Sequence, residues 1–193
     1  MAALRVRQVE EIAEHLLLLP ALVERQEQRS PDFVRGCVAW LKALEAMLAA
    51  NRLAEAGTIA AVRSGLVAAV RGAAPAGLEI QGTRTRARVA EAVASMALQR
   101  GADVATAVIA PHQARLAEAD KLARQLVAVS ASRGGPGVRT SDEPYEVFLQ
   151  GLRRSFAAHA DLAGAASLLE SLVGPHDALI LIDRALAFVL APA

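Results

Sequence analysis

SPDFVRGCVAWLKALEAML, residues 30–48, holds both the start signal and the buried face of one helix. Ser30 offers a hydroxyl N-cap, Pro31 stands at the first helical position, where no amide donor is needed, and Asp32 faces the positive end of the helix dipole. Behind them Phe33, Cys37, Trp40, Leu41, Leu44 and Leu48 recur at helical spacing, one apolar stripe on a helix running to about Ala50. A stripe this regular needs partners of the same kind, and the flanking sequence supplies them.

Upstream, Val6, Val9, Ile12, Ala13, Leu16 and Leu17 form a second stripe, which predicts an amphipathic helix ending near Pro20 and a short kinked continuation over 21–29. Downstream, Asn51 marks a break. The next helix, about 52–72, carries Gly57, Ala61, Gly65 and Ala69 at strict four-residue spacing. A row of small residues lets another backbone approach closely; Arg63 and Arg71 in the same segment favour packing inside a soluble bundle, with a subunit interface as the alternative. After the connector Ala73-Ala74-Pro75-Ala76-Gly77, a helix opened by Gly82-Thr83 carries a second narrow seam, Ala87, Ala90, Ala94, Ala97 and Gly101, and the two seams are expected to face each other. Pro111 marks a kink or a fresh start, after which Leu116, Ala119, Leu122, Leu126 and Val129 extend a helix to about 131.

The stretch 132–140, with Gly134, Gly135, Pro136 and Gly137, reads as a mobile loop; it lacks the Lys-Ser/Thr pair and the preceding strand of a phosphate-cradling loop. Tyr145, Phe148, Leu149, Leu152 and Phe156 then mark a helix to about Ala160, whose continuation ends at Gly174. The last helix starts at Pro175 and is apolar nearly all round, so it must be covered on most sides. The expected fold is all-α: a single-domain bundle of about seven helices with tight Ala/Gly packing. Its expected organisation is a main bundle over 1–133, a Gly-rich linker over 134–141, and a C-terminal helical segment over 142–193 packing on the bundle or on a partner.

Composition agrees. The chain holds 44 Ala and 26 Leu in 193 residues with 3% aromatics, the usage of a helical protein and not of a sheet. Net charge is +1, which offers no global field for a polyanion, although residues 74–134 carry 8 basic against 5 acidic groups and residues 135–193 carry 4 against 7. The single Cys37 excludes an internal disulfide and a Cys-based zinc site, and its place on the stripe marks it as a buried small hydrophobe. The sequence gives no run of about 18 uncharged apolar residues, and Glu10, Glu11 and Glu14 interrupt any apolar leader, so the expectation is a cytoplasmic protein with no membrane span.

Residues with chemistry are few. Arg154 and His159 stand in Arg-Ser-Phe-Ala-Ala-His, and the pair resembles the Arg-x4-6-His motif of the HEPN family of helical ribonucleases, a resemblance that covers six residues. It implies cleavage of an RNA backbone by Arg154 and His159 from two protomers. The family favours an acidic, amide or imidazole side chain after the Arg, where Ser155 stands, and His159 falls on the predicted buried stripe about 140° from Arg154. His15 reads as a helix C-terminal cation able to pair with Glu11. His112 and His176 each follow a Pro at a helix start; His176-Asp177 lacks the further ligands that a metal phosphohydrolase needs, and no Glu-x-x-His of a di-iron bundle occurs. Arg84, Arg86 and Arg88 form the densest basic cluster, a candidate anion or nucleic-acid contact, although Gln81, Arg84, Arg88, Glu91 and Ser95 also make an ordinary solvated face with Arg88 and Glu91 paired.

With neither a metal nor a cofactor motif, the sequence leads to a non-enzymatic scaffold, adaptor or accessory subunit acting through protein contacts or self-association, within an oligomer or larger complex. Leu179, Ile182, Leu186 and Val189 are the expected contact surface. The alternative is a nucleic-acid-associated protein, by Arg-mediated backbone binding or HEPN-like cleavage.

Overall fold

The computed structural model describes residues 4–73, 85–134 and 143–189, and the fold is all-α, as the periodicities predict. Seven helices are present among the described residues: α1 (Val6–Leu16), α2 (Leu19–Glu27), α3 (Phe33–Ala50), α4 (Glu55–Val70), α5 (Arg86–Ser132), α6 (Tyr145–Ala158) and α7 (Ala160–Val189). The chain divides into two compact units, an N-terminal one, Arg7–Pro111, and a C-terminal one, His112–Ala193 together with Met1–Val6. That division falls inside α5, at the proline; the expected linker over 134–141 lies, apart from Gly134, outside the described residues.

In the N-terminal unit α3 is the central element. All six of its stripe residues are buried: Phe33, Cys37, Trp40, Leu41, Leu44 and Leu48. Trp40 joins three helices. Its Nε1–H donates to the carbonyl of His15 at 3.0 Å, while His15 Nε2 donates to the Trp40 carbonyl at 2.9 Å, and the two rings stack at 4.9 Å with 12° between planes. Gly101 of α5 passes so close to the ring that a Cβ there would lie 2.7 Å from Trp40 Cζ3 and 2.8 Å from Leu41 Cδ2. The seam on α5 is therefore a true packing seam, with Ala90, Ala94, Ala97 and Gly101 buried.

The seam on α4 behaves differently from expectation. Gly57, Ala61 and Gly65 are exposed, and only Ala69 of that row is buried. Ile59 and Leu66 have more apolar surface to lose, so they take the side facing α3 and turn the small row roughly 120° around the helix. The two seams do not face each other.

Helices α2, α3 and α4 end by one device. Residues just past each cap, Arg29 (φ 52), Arg52 (φ 56) and Gly72 (φ 103), adopt left-handed backbone. The next amide reaches back five residues, Ser30 N–H to Arg25 O at 2.9 Å, Leu53 N–H to Leu48 O at 3.0 Å and Ala73 N–H to Ala68 O at 3.0 Å, which is the Schellman arrangement. Sequence reading misses the first two because Arg, not Gly, occupies the turn. Pro20 was expected to close the first helix; it sits instead in the first turn of α2, where a missing N–H costs nothing, and the break falls at Leu17-Leu18, leaving Leu17 off the core.

The C-terminal unit folds α7 back along α6, with Arg153 Nε 3.2 Å from Glu170 Oε1 and a core of Phe148, Leu152, Phe156, Leu169, Leu181 and Ile182. Ala119, Ala123, Leu126 and Val127 of α5 complete that core. Gly174 (φ 82, ψ 162) interrupts α7 just before Pro175, where the sequence placed a helix boundary. Ala160–Phe188 is long and apolar enough to cross a membrane by length and composition, yet this break divides it and its larger aliphatics enter the core.

Because Arg52 is exposed and held at φ 56, Arg52→Gly removes left-handed strain without removing a buried contact. We expect a gain of about 1 kcal/mol, read as a rise of a few degrees in the thermal midpoint.

Candidate contact face and arginine-lined cleft

Two of the four residues expected to form the contact surface lie inside the C-terminal unit. Ile182 and Leu186 are only 1% and 7% exposed and belong to the core of the C-terminal unit, with Leu179 packed half-buried against it; nothing is described of the Val189 side chain. The covering of Ile182 and Leu186 comes from α6 and the second half of α5.

The outward face of α4 is different in kind. Ala54, Gly57, Thr58, Ala61, Ser64 and Gly65 are exposed, small and uncharged, at steps of three, one, three, three and one along the helix. A Cβ added at Gly57 or Gly65 would meet nothing within 4 Å. Arg63, about 100° round the helix from Ser64, is held against α3 by Glu45, Nε to Oε2 2.6 Å, a contact that also raises the guanidinium pKa through hydrogen bonding and charge.

Of the arginine cluster, Arg84 lies outside the described residues. Arg86 serves the fold: its Nε and Nη2 both donate to the carbonyl of Val70, the former at 2.7 Å, so it caps the last turn of α4. Arg88 is exposed like Glu91, as a solvated face requires. Together with Glu91 and Ser95 it lines a cleft of about 720 Å³ whose other wall is Gln26, Arg29, Ser30 and Phe33. Arg29 carries no sequence signal, since only the tertiary fold brings the α2–α3 turn against α5.

Arg154 is bonded within its own helix, and His159 stands at the end of α6. Arg154 Nε donates to the Gln150 carbonyl at 3.3 Å, and His159 caps α6 with extended backbone, its N–H on Ser155 O at 3.2 Å. The expectation that His159 continues the buried stripe is overturned, because α6 stops one residue earlier and leaves it exposed.

The other titratable groups have structural work. Asp177, 5% exposed, accepts the N–H of Val6 at 2.9 Å, and Arg115 Nη2 donates to the Leu4 carbonyl at 3.1 Å; together they hold both backbone polarities of the segment 4–6 within the C-terminal unit. His176 beside Asp177 is exposed, and the described residues contain no group of three or more His, Cys, Asp or Glu able to hold a metal. Burial pushes the Cys37 thiol up to about 11, an unreactive state. Burial lowers the pKa of His15 despite its bond to Trp40 O, and burial plus the neighbouring Arg115 charge lowers that of His112. Comparison with known protein families, curated proteins and solved structures gives no match to this chain.

Two measurements follow. Asp177→Ala leaves the Val6 N–H buried without its acceptor and should cost about 2 kcal/mol in urea unfolding. Both lowered histidines have unfolded values near 6.5, so their contribution is complete above that pH. As the pH falls below it, protons bind the unfolded chain first and stability declines toward the folded-state values. A His15→Gln/His112→Gln double variant should show a shallower decline over the same range.

Proposed function

We propose that the protein is a non-enzymatic helical scaffold or accessory subunit that works through protein–protein contact, and that its first partner is a second copy of itself across α4. The observation that carries this reading is the exposed, charge-free face of α4. Exposed helix faces normally carry long charged side chains, which keep other helices away and cover apolar backbone. Here Ala54, Gly57, Thr58, Ala61, Ser64 and Gly65 leave the helix bare on one side.

The face is also self-complementary. Around Ala61 the sequence reads nearly the same in both directions: Gly57 mirrors Gly65, Thr58 mirrors Ser64, and Ala54 mirrors Ala68. An antiparallel pair on a twofold axis through Ala61 therefore sets glycine against glycine and hydroxyl against hydroxyl, which allows helix axes about 8 Å apart. The same arrangement opposes the helix dipoles and brings the Glu55 end of one helix beside the Arg71 end of the other. A single helix pair buries little area, so the self-association expected of α4 alone is weak and reversible.

Gly57→Leu and Gly65→Leu separate this from a structural role. Within one chain each added side chain meets open space, and replacing Gly by Leu in a helix should stabilise the fold by about 0.5–1 kcal/mol. Sedimentation across a concentration series should show a monomer–dimer equilibrium for the native chain and a monomer for either variant. A native chain that stays monomeric at the highest soluble concentration, or a leucine variant that dimerises as well as the native chain, overturns the proposal.

A further inference from the structure

A second surface of the N-terminal unit stands independently of α4 pairing. Leu16, Leu17, Leu18 and Leu19 run consecutively through the corner between α1 and α2, and none of them enters the core. Pro20, in the first turn of α2, breaks the register of the α1 stripe, so the next buried residue after Ile12 is Leu22. Leu17 is 75% exposed, more than any other large hydrophobic among the described residues, and its neighbour Leu18 is 53% exposed. Two adjoining leucines left in water in this way form an apolar patch that burial against a partner would stabilise.

The same corner is acidic. Leu17 N–H bonds to Ala13 O at 3.3 Å, which carries the last turn of α1 on to Leu17, so Glu14 stands one turn before the leucines at the spacings that share a helix face, and Glu11 one turn earlier still. Between residues 10 and 27 the chain has Glu10, Glu11, Glu14, Glu24 and Glu27 against a single guanidinium, Arg25. Arg25 leans on α3, where a Cβ built at Gly36 would lie 3.2 Å from its Nη1. His15 is stacked on Trp40 with its pKa lowered by burial, so it adds no cation at neutral pH. The sign of this charge selects the occupant. Anionic lipid headgroups are repelled by the carboxylates, whereas a helix with an apolar stripe edged by lysines or arginines takes the leucines out of water and brings cations to Glu11 and Glu14.

We propose that the α1–α2 corner is the docking site for a basic amphipathic helix of another protein, with Leu17 and Leu18 set into that helix's apolar stripe and Glu11 and Glu14 paired with its basic edge. This contact goes beyond the pairing of α4, uses other residues, and gives the accessory-subunit reading a partner of defined chemistry.

Fluorescence anisotropy of the full chain with a labelled helical peptide of leucine and lysine tests this, with a leucine–glutamate peptide of the same leucine spacing as the charge control. The lysine peptide should bind about tenfold more tightly than the glutamate peptide. Leu17→Ser/Leu18→Ser removes only exposed apolar surface, so the thermal midpoint should hold while affinity for the lysine peptide falls about tenfold. Glu11→Gln/Glu14→Gln should weaken binding several-fold and flatten its dependence on salt. Phe188→Ser, which removes a 66% exposed hydrophobic from the C-terminal unit, is the matched control and should leave affinity unchanged. Gly57→Leu should bind the peptide as the native chain does, which separates this contact from α4 pairing. The proposal fails if the native chain does not bind the lysine peptide, if Leu17→Ser/Leu18→Ser and Phe188→Ser behave alike, or if vesicles of phosphatidylserine and phosphatidylcholine bind the chain more tightly and lose as much on Leu17→Ser/Leu18→Ser.

Discussion

The N-terminal unit depends on the close approach of Gly101 to Trp40. A large flat ring at the middle of α3 meets the His15 imidazole, stacked at 4.9 Å, and the helix α5, which can come near its Cζ3 only because it has no side chain at that point. The reciprocal bonds between Trp40 and His15, ring to backbone in each direction, satisfy the two polar atoms that such burial would otherwise strand. A carbonyl only accepts, so His15 must carry its hydrogen on Nε2, which fits a ring kept neutral by burial.

That constraint explains why two seams of similar composition have opposite fates. On α5 the small residues are consumed by the approach to α3. On α4 the aliphatics Ile59 and Leu66 win the inward position, and the small row is left facing out. That exposed small row is the observation from which contact of α4 with another molecule is proposed. The C-terminal helix makes the reverse case: its continuous apolar surface looks like an interface in sequence, yet α6 and α5 already cover Ile182 and Leu186.

The arginines illustrate a similar division. Three positions that look alike in composition have separate roles: Arg86 caps a helix end, Arg63 spans two helices by an ion pair with Glu45, and Arg29 occupies a left-handed turn at the mouth of a cleft. An Arg-rich composition therefore says little about any one of them.

Sequence by itself determined the all-α class, the stripe of α3, the break at Gly174, the buried Cys37 and the seam of α5, because each follows from periodicity or from a local backbone preference that acts within a few residues. It could not place Arg29 opposite Arg88, put Asp177 on the amide of Val6, or say which of two small-residue rows would be covered. Those outcomes were decided by tertiary structure, since they depend on which larger side chains compete for the same interior and on turns whose direction is set by residues far away in the chain.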